Sequence, residues 1–439
     1  MGGRIGKKVC SGVGQLTLIE HALCPIDSQS SPHQPLSHET AFSYTDSERK
    51  RRTARVRVLC PLGLSPGDEF FLWGLLALTL ADKNSCGELH ATRHYLLRRL
   101  GVIDANARRG GRQYRRLSEA IDRIAAIQYF SDGFYDPIRG EHVRINFKFF
   151  SYAMPTDLAS SRAWRIVWDP VFFQFASAAR GAMWFDLQIY RQLSLASRRL
   201  YLFARKLLGR RGADITHGID VRQLVTDVLG YSPQLQPNQQ NARLRAALTQ
   251  LIGFKLLRPG ETRTYKRCKG QYSVVLARGP ALHRNINCGE LESPLLEPLC
   301  GIGFETGDAR RLLSQFPTPL VRQWIDITLA KIERMGMGSF SKSPAAYLRY
   351  NLNLAASGTG SPPDWWHEVR KEEENRRATQ SRKRREYQSG VPKKAIESVD
   401  AVCGDVFGQF LSVGQPESRA EANARRFADA VARGQRKGT

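Results

Sequence analysis

The sequence predicts an α+β fold, predominantly helical, in which one unit of three helices and a β-hairpin occurs twice and a small C-terminal helical region follows. Three observations carry this. Apolar residues recur at helical spacing in Leu117, Ala120, Ile121, Ile124 and Ala125, and again in Leu244, Ala247, Leu248, Leu251 and Ile252. Each set is followed by two strand-like stretches around a turn-rich or basic connection. The two stretches also register: Leu100-Gly101 matches Leu229-Gly230, Leu117 and Leu244 lie 17 and 15 residues downstream, and Tyr129 and Leu256 lie 29 and 27 downstream. Helix, helix, helix, hairpin is the order of a winged helix-turn-helix, so two such domains in tandem are expected.

The elements follow in order. Residues 1–55 read as a disordered basic arm, because Ser28–Pro35 is polar and Ser47–Arg52 is a charge run. Residues 60–160 form the first winged-helix domain. Gly67-Asp68-Glu69 opens a helix through Leu80, with acids at its positive end. Thr92–Leu100 is a second helix, ended by Gly101, and Gly111–Ile127 a third. Gln128–Phe134 and His142–Phe150 are the hairpin strands. Residues 161–192 are linking strands, Ala163–Trp168 and Met183–Ile189, around a helical Phe172–Ala176. Residues 193–280 form the second domain, with helices Leu195–Leu208, Val221–Leu229 and Asn238–Ile252. Its hairpin pairs Phe254–Leu257 with Tyr272–Ala277 around the basic tip Thr262–Gly270. Helices Asp308–Gln315, Leu320–Arg334 and Ala345–Leu354 make a module over residues 305–356, the last opened by Pro344 in its first turn. Residues 357–439 are a charged, largely disordered tail with a short helix after the Ser418–Glu421 capping box.

Composition narrows the function. The 439 residues carry 66 Lys+Arg, of which 50 are Arg and 16 Lys, against 41 Asp+Glu, for a net charge of +25. Such a chain concentrates polyanions around itself. A coding bias toward Arg would explain the Arg/Lys ratio, but not the net charge. Eight cysteines, none in a CxxC pair, read as free thiols in a reducing cytoplasm. No signal peptide is read in the N-terminal stretch. The longest apolar run, Phe70–Ala81, is too short to span a bilayer. The expected location is cytoplasmic, with the nucleoid or a plasmid.

The third helix of each unit is the candidate reader. With Leu117 on the core side, steps of about 100° put Arg112, Arg115 and Glu119 on the opposite face, flanked by Arg116 and Arg123. Arg108 and Arg109 precede this helix. From Arg93 to Arg123 nine Arg face only Asp104, Glu119 and Asp122, which favours nucleic acid over a merely solvated face. Arg forks match guanine edges, and others neutralise phosphates. In the second unit Gln239, Ala242, Ala246 and Thr249 lie farthest from Leu244, with Arg243 and Arg245 on the shoulders. Gln239-Gln240-Asn241 either reads adenine or simply caps the helix. Ser197 and Arg198, with Arg199, open the preceding helix where a phosphate clamp is expected. Arg263, Lys266, Arg267 and Lys269 lie on the hairpin tip, suited to phosphate or minor-groove contact.

No GxxxxGK[ST], HExxH or zinc-deaminase pattern occurs, and no HxH pair with a downstream Tyr. No enzyme activity, catalytic residue, metal or cofactor is expected.

Ser197–Phe203, Ile219–Leu224, Arg243–Leu248 and Gly253-Phe254 resemble the second module of the plasmid replication initiator protein A family. The Asp68–Leu80 helix resembles that family's opening helix, and Ser343–Arg349 is similar to a Pro-Ala-Ala-Tyr-Leu element near the end of such initiators. The resemblance covers about residues 60–355; Ala163–Ile189 has no residue-by-residue match. It implies a protein that binds repeated sites in double-stranded origin DNA through two winged helices. It further implies help in opening the duplex, recruitment of a host initiator and replicative helicase, and a possible homodimer. Carried over by position, the DNA-facing residues are Arg112, Arg115, Arg116, Ser197, Arg198, Gln239, Asn241, Arg243 and Arg245. The rivals are a DNA-binding transcriptional regulator without an initiation role and a rolling-circle replication enzyme.

Overall fold

A computed structural model of the chain describes residues 11–26, 34–46, 48–82, 86–103, 111–155, 160, 162–209, 213–268, 270–282, 293–369 and 371–372. The chain divides into two compact units, Met1–Gly360 and Ser361–Thr439. The Ser418–Glu421 capping box and most of the tail lie outside the described residues. Everything below concerns the first unit.

The N-terminal region holds strands where a disordered arm was expected. β1 (Ser11–Gln15) is followed by β2 (Leu36–Thr45) and β3 (Arg51–Cys60), which pair antiparallel over ten residues each. The charge run Arg49–Arg52 leads into an amphipathic strand. Ala54, Val56, Val58 and Cys60 are buried, whereas Arg51, Thr53, Arg55 and Arg57 are exposed. Period-two alternation is the signature of a half-buried strand, and the arginines concealed it.

α1 (Glu69–Ala81) is buried on nearly every side, as a helix apolar all round must be. Its entry is fixed by Asp68, whose carboxylate takes the Ser65 N–H at 2.9 Å and a two-pronged bond from Arg123 at 2.7 and 2.8 Å. Arg123 was expected to flank the reading face; it is buried instead. β4 (Glu88–Ala91), α2 (Arg93–Arg99, capped by Thr92) and α3 (Gly111–Ala125) follow. β5 (Gln128–Asp136) and β6 (Glu141–Phe147) extend the first hairpin into a four-stranded sheet of order β2-β3-β5-β6.

Residues 161–192 are woven into the fold. β7 (Phe150–Ala153) and β8 (Trp164–Trp168) form a sheet of order β4-β8-β7. After α4 (Pro170–Ser177), β9 (Ala182–Asp186) pairs with β1 in full register, Ser11 opposite Asp186 and Gln15 opposite Ala182. Gly12 permits this, since a Cβ there would sit 2.4 Å from the Phe185 ring. Ile189 lies in a helix, α5 (Leu187–Gln192), where a strand was expected.

α6 (Leu195–Leu208), the two-residue β10 (Ile219–Asp220), α7 (Val221–Gln223, widening into a π-turn to Val228) and α8 (Pro237–Gly253) make the second set. Its hairpin is shifted from the expected one. The strands are β11 (Arg263–Cys268) and β12 (Gln271–Val275), in order β10-β12-β11, and Leu257 contributes only an isolated bridge to Arg278. The supposed basic tip is therefore itself a strand. Beyond it come α9 (Leu296–Ile302), α10 (Thr306–Gln315), α11 (Thr318–Met335) and α12 (Pro344–Ala356).

The chain is mixed helix and strand. The two helical sets share one continuous core running from Val13 to Leu282. Within it Leu117 and Leu244 are both 0% exposed, as are Tyr129 and Leu256. Gly101 and Gly230 both adopt left-handed backbone, φ 69° and 79°, which any side chain would resist.

His21 lies in this core, 2.9 Å from the Tyr129 hydroxyl through Nε2 and 3.3 Å from the Ala22 carbonyl through Nδ1. The carbonyl can only accept, so Nδ1 carries the proton and Nε2 accepts from Tyr129. Burial drives its pKa down to about 3, so it is neutral when folded. An unfolded His takes up a proton below about pH 6.5, so stability falls as pH drops. The loss from His21 should reach about 2 kcal/mol at pH 5. Thermal melts at pH 7 and 5 should show it, and His21→Phe should remove its share while leaving that of His38 and His90, whose pKa values burial also lowers, to about 4.

Candidate nucleic-acid interface

α3 presents its charge outward as its periodicity predicts. Arg112, Arg115, Arg116 and Glu119 are exposed opposite buried Leu117, Ala120, Ile121 and Ile124. Its first turn is anchored on α2, where the His94 Nδ1 lies 2.8 Å from the Tyr114 hydroxyl. The Arg93 guanidinium stacks between Tyr114, at 5.3 Å, and Trp164, at 5.6 Å. Arg116 leans over Phe71 at 5.9 Å. Arg108 and Arg109 lie outside the described residues.

α8 is exposed along Gln239, Ala242, Arg243, Arg245, Ala246 and Thr249, with Leu244, Ala247, Leu248 and Leu251 inside. Arg243 rests 5.8 Å from the Tyr231 ring. Arg245 donates to the Thr264 hydroxyl at 3.2 Å, tying the helix to β11. Lys266 and Arg267 are exposed near the end of β11, and Lys269 lies outside the described residues.

Four expected contacts, Gln240, Asn241, Ser197 and Arg198, are displaced by packing. Asn241 is 8% exposed and Gln240 3%, so neither side chain is offered to a groove. They occupy the first inward-facing turn, one turn before Leu244. Gln239 accepts the Gln236 N–H at 3.1 Å through Oε1, the capping role left open by the sequence. Ser197 is 0% exposed and bonded to Ser194 at the start of α6. Arg198 points back onto α5, donating to the Tyr190 and Arg191 carbonyls at 2.9 and 2.7 Å. It satisfies the free carbonyl end of α5 and is not poised as a phosphate clamp.

The neighbouring Arg199 is buried against Glu69, at 2.6 Å, and donates to the Leu229 carbonyl at 2.8 Å. Burial opposes its charge, but the Glu69 carboxylate outweighs this and holds its pKa above the usual value. This pair joins α1 to α6. A Ser-Arg-Arg run at a helix start carries no local sign of which arginine will find a buried acid 130 positions away.

Among the described residues no helix is long and apolar enough to cross a membrane, and no group of three His, Cys, Asp or Glu could hold a metal ion. Cys24, Cys60, Cys86, Cys268 and Cys300 are free thiols. Burial raises the Cys24 thiol to about 12, which leaves it uncharged and unreactive.

No protein-family model and no curated protein matches the chain. Solved structures of domains 2 and 3 of RctB align with it. A selenomethionine crystal form gives a TM-score of 0.39 at 14% identity, covering 60% of this chain and 96% of that one. A second structure of RctB domains 2–3 gives 0.35 at 14% identity, covering 59% and 95%. Likeness at this level carries no argument about the present chain.

Proposed function

We propose that this chain is a sequence-specific DNA-binding replication initiator that engages repeated sites in duplex origin DNA through α3 and α8. In this reading it helps open the duplex, recruits a host initiator and helicase, and catalyses no reaction itself. A homodimer and a cytoplasmic, plasmid- or nucleoid-associated location belong to the same proposal. One observation carries it. Two helices in matching positions, each followed by a hairpin, present unburied arginines from one continuous body in a chain of net charge +25. On α8 the exposed Ala242 and Ala246 let the backbone approach a groove floor, while Arg243 and Arg245 flank it. Bound to a single operator, the same surfaces would serve a transcriptional regulator.

Equilibrium binding to duplexes selected from random sequence tests the assignment. Arg115→Ala and Arg243→Ala should each lose about 1–3 kcal/mol on the selected site and much less on random DNA. Lys266→Ala should weaken both equally. Neutralising about six to ten phosphates gives a log–log salt slope near −5 to −9. A slope shallower than about −2, or equal losses for all three variants on both DNAs, would contradict the reading.

A further inference from the structure

The exposed face of the four-stranded sheet carries a second charged surface, distinct from α3 and α8. Register places Glu39, Arg57, Phe130 and Asn146 in one row across β2, β3, β5 and β6. Arg55 and Arg144 lie beside this row, and the face forms an open cleft of about 830 Å³. The opposite face of the same strands is buried through Val56, Val58, Tyr129, Ile145 and Phe147, so the exposed one is not needed for the core.

Three features mark this face as a ligand surface. Among the described residues, no carboxylate forms an ion pair with the Arg55, Arg57 or Arg144 side chains, although register sets Glu39 opposite Arg57. Asp132 turns its Oδ1 to the Arg55 backbone N–H, at 2.6 Å where β5 bulges away from β6, and not to an arginine side chain. The Arg57 guanidinium lies over the half-buried Phe130 ring at 4.9 Å, making a flat cation–π platform at the centre of the sheet. Donors (Arg57, Asn146) and acceptors (Glu39, Asp132) alternate around that platform.

A duplex would lay phosphates against Glu39 and Asp132, which repel them. A single strand can turn its bases down onto the ring and guanidinium. Its base N–H groups then meet the acceptors, and its phosphates point outward toward Arg55 and Arg144. We propose that the exposed face of the β2-β3-β5-β6 sheet, centred on Arg57 and Phe130, is a binding site for single-stranded nucleic acid. The site is independent of the duplex-binding surface assigned to α3 and α8.

The test uses fluorescence anisotropy of the full-length chain with labelled oligothymidylate, oligouridylate and a random duplex. The variants are Arg57→Ala/Arg144→Ala and, to remove the ring while keeping an apolar side chain on that face, Phe130→Leu. Each should weaken binding of DNA or RNA single strands about tenfold or more, as loss of one stacked base would. Duplex binding should stay within about twofold, because stacking contributes nothing there. Arg115→Ala/Arg243→Ala should show the opposite pattern. Retention of both single strands by the sheet variants, or no single-strand binding by the parent chain, overturns the site. Failure of the duplex-binding proposal would show only in the duplex arm.

Discussion

Leu244→Asp is expected to unfold both halves of residues 11–282 together. Leu244 is 0% exposed in α8, and the core it belongs to runs unbroken into α1, α3 and the first sheets. A carboxylate buried there without a partner costs several kcal/mol or takes up a proton. Total stability is only about 5–15 kcal/mol, so the loss is a large fraction of it. Limited proteolysis should show residues 65–150 cut as readily as residues 193–280. Leu117→Asp, also at 0% exposure, should behave identically. A protease-resistant first half in Leu244→Asp would mean that the halves fold separately and that the shared core is not cooperative.

Arg199→Ala should be nearly as damaging, for a different reason. The guanidinium meets Glu69 at 2.6 Å in the interior, and both side chains are sealed from water. Removing one member of a buried pair leaves an uncompensated charge and costs about 3–5 kcal/mol. Replacing both by apolar groups of similar volume is often close to neutral. Arg199→Met with Glu69→Leu should therefore recover most of the stability lost in Arg199→Ala, read from urea titrations. No recovery in the double variant would mean that the Leu229 carbonyl, left without its donor, is the larger cost. The pair joins α1 to α6, so it fixes the body that holds α3 and α8 rather than contacting DNA.

Local pattern revealed the helices well. The phasing of α3 and α8 follows from Leu117 and Leu244, and their exposed arginines follow from the phasing. Gly101 and Gly230 were legible as helix stops because only glycine enters the left-handed region cheaply. What was hidden has two physical causes. In β3 the arginines alternate with Ala54, Val56 and Val58, and a charge run masks a period-two strand. Pairings such as β1 with β9 and Glu69 with Arg199 join residues far apart in the chain, and neither partner's local sequence announces the other. Ser197, Asn241 and Arg198 fall under the second cause. Their residue types suit DNA contact, but the surfaces they face are set by α5 and the core.

The central claim is that α3 and α8 place this chain on repeated duplex sites. Hydroxyl-radical footprinting of the DNA flanking its own gene tests it most directly, with Arg115→Ala/Arg243→Ala in parallel. The account predicts several protected direct repeats beside an AT-rich tract, all lost in the double variant at protein concentrations that protect them in the parent. Protection confined to a single promoter operator would make the chain a regulator. Protection that survives the double variant unchanged would contradict the assignment of α3 and α8 altogether.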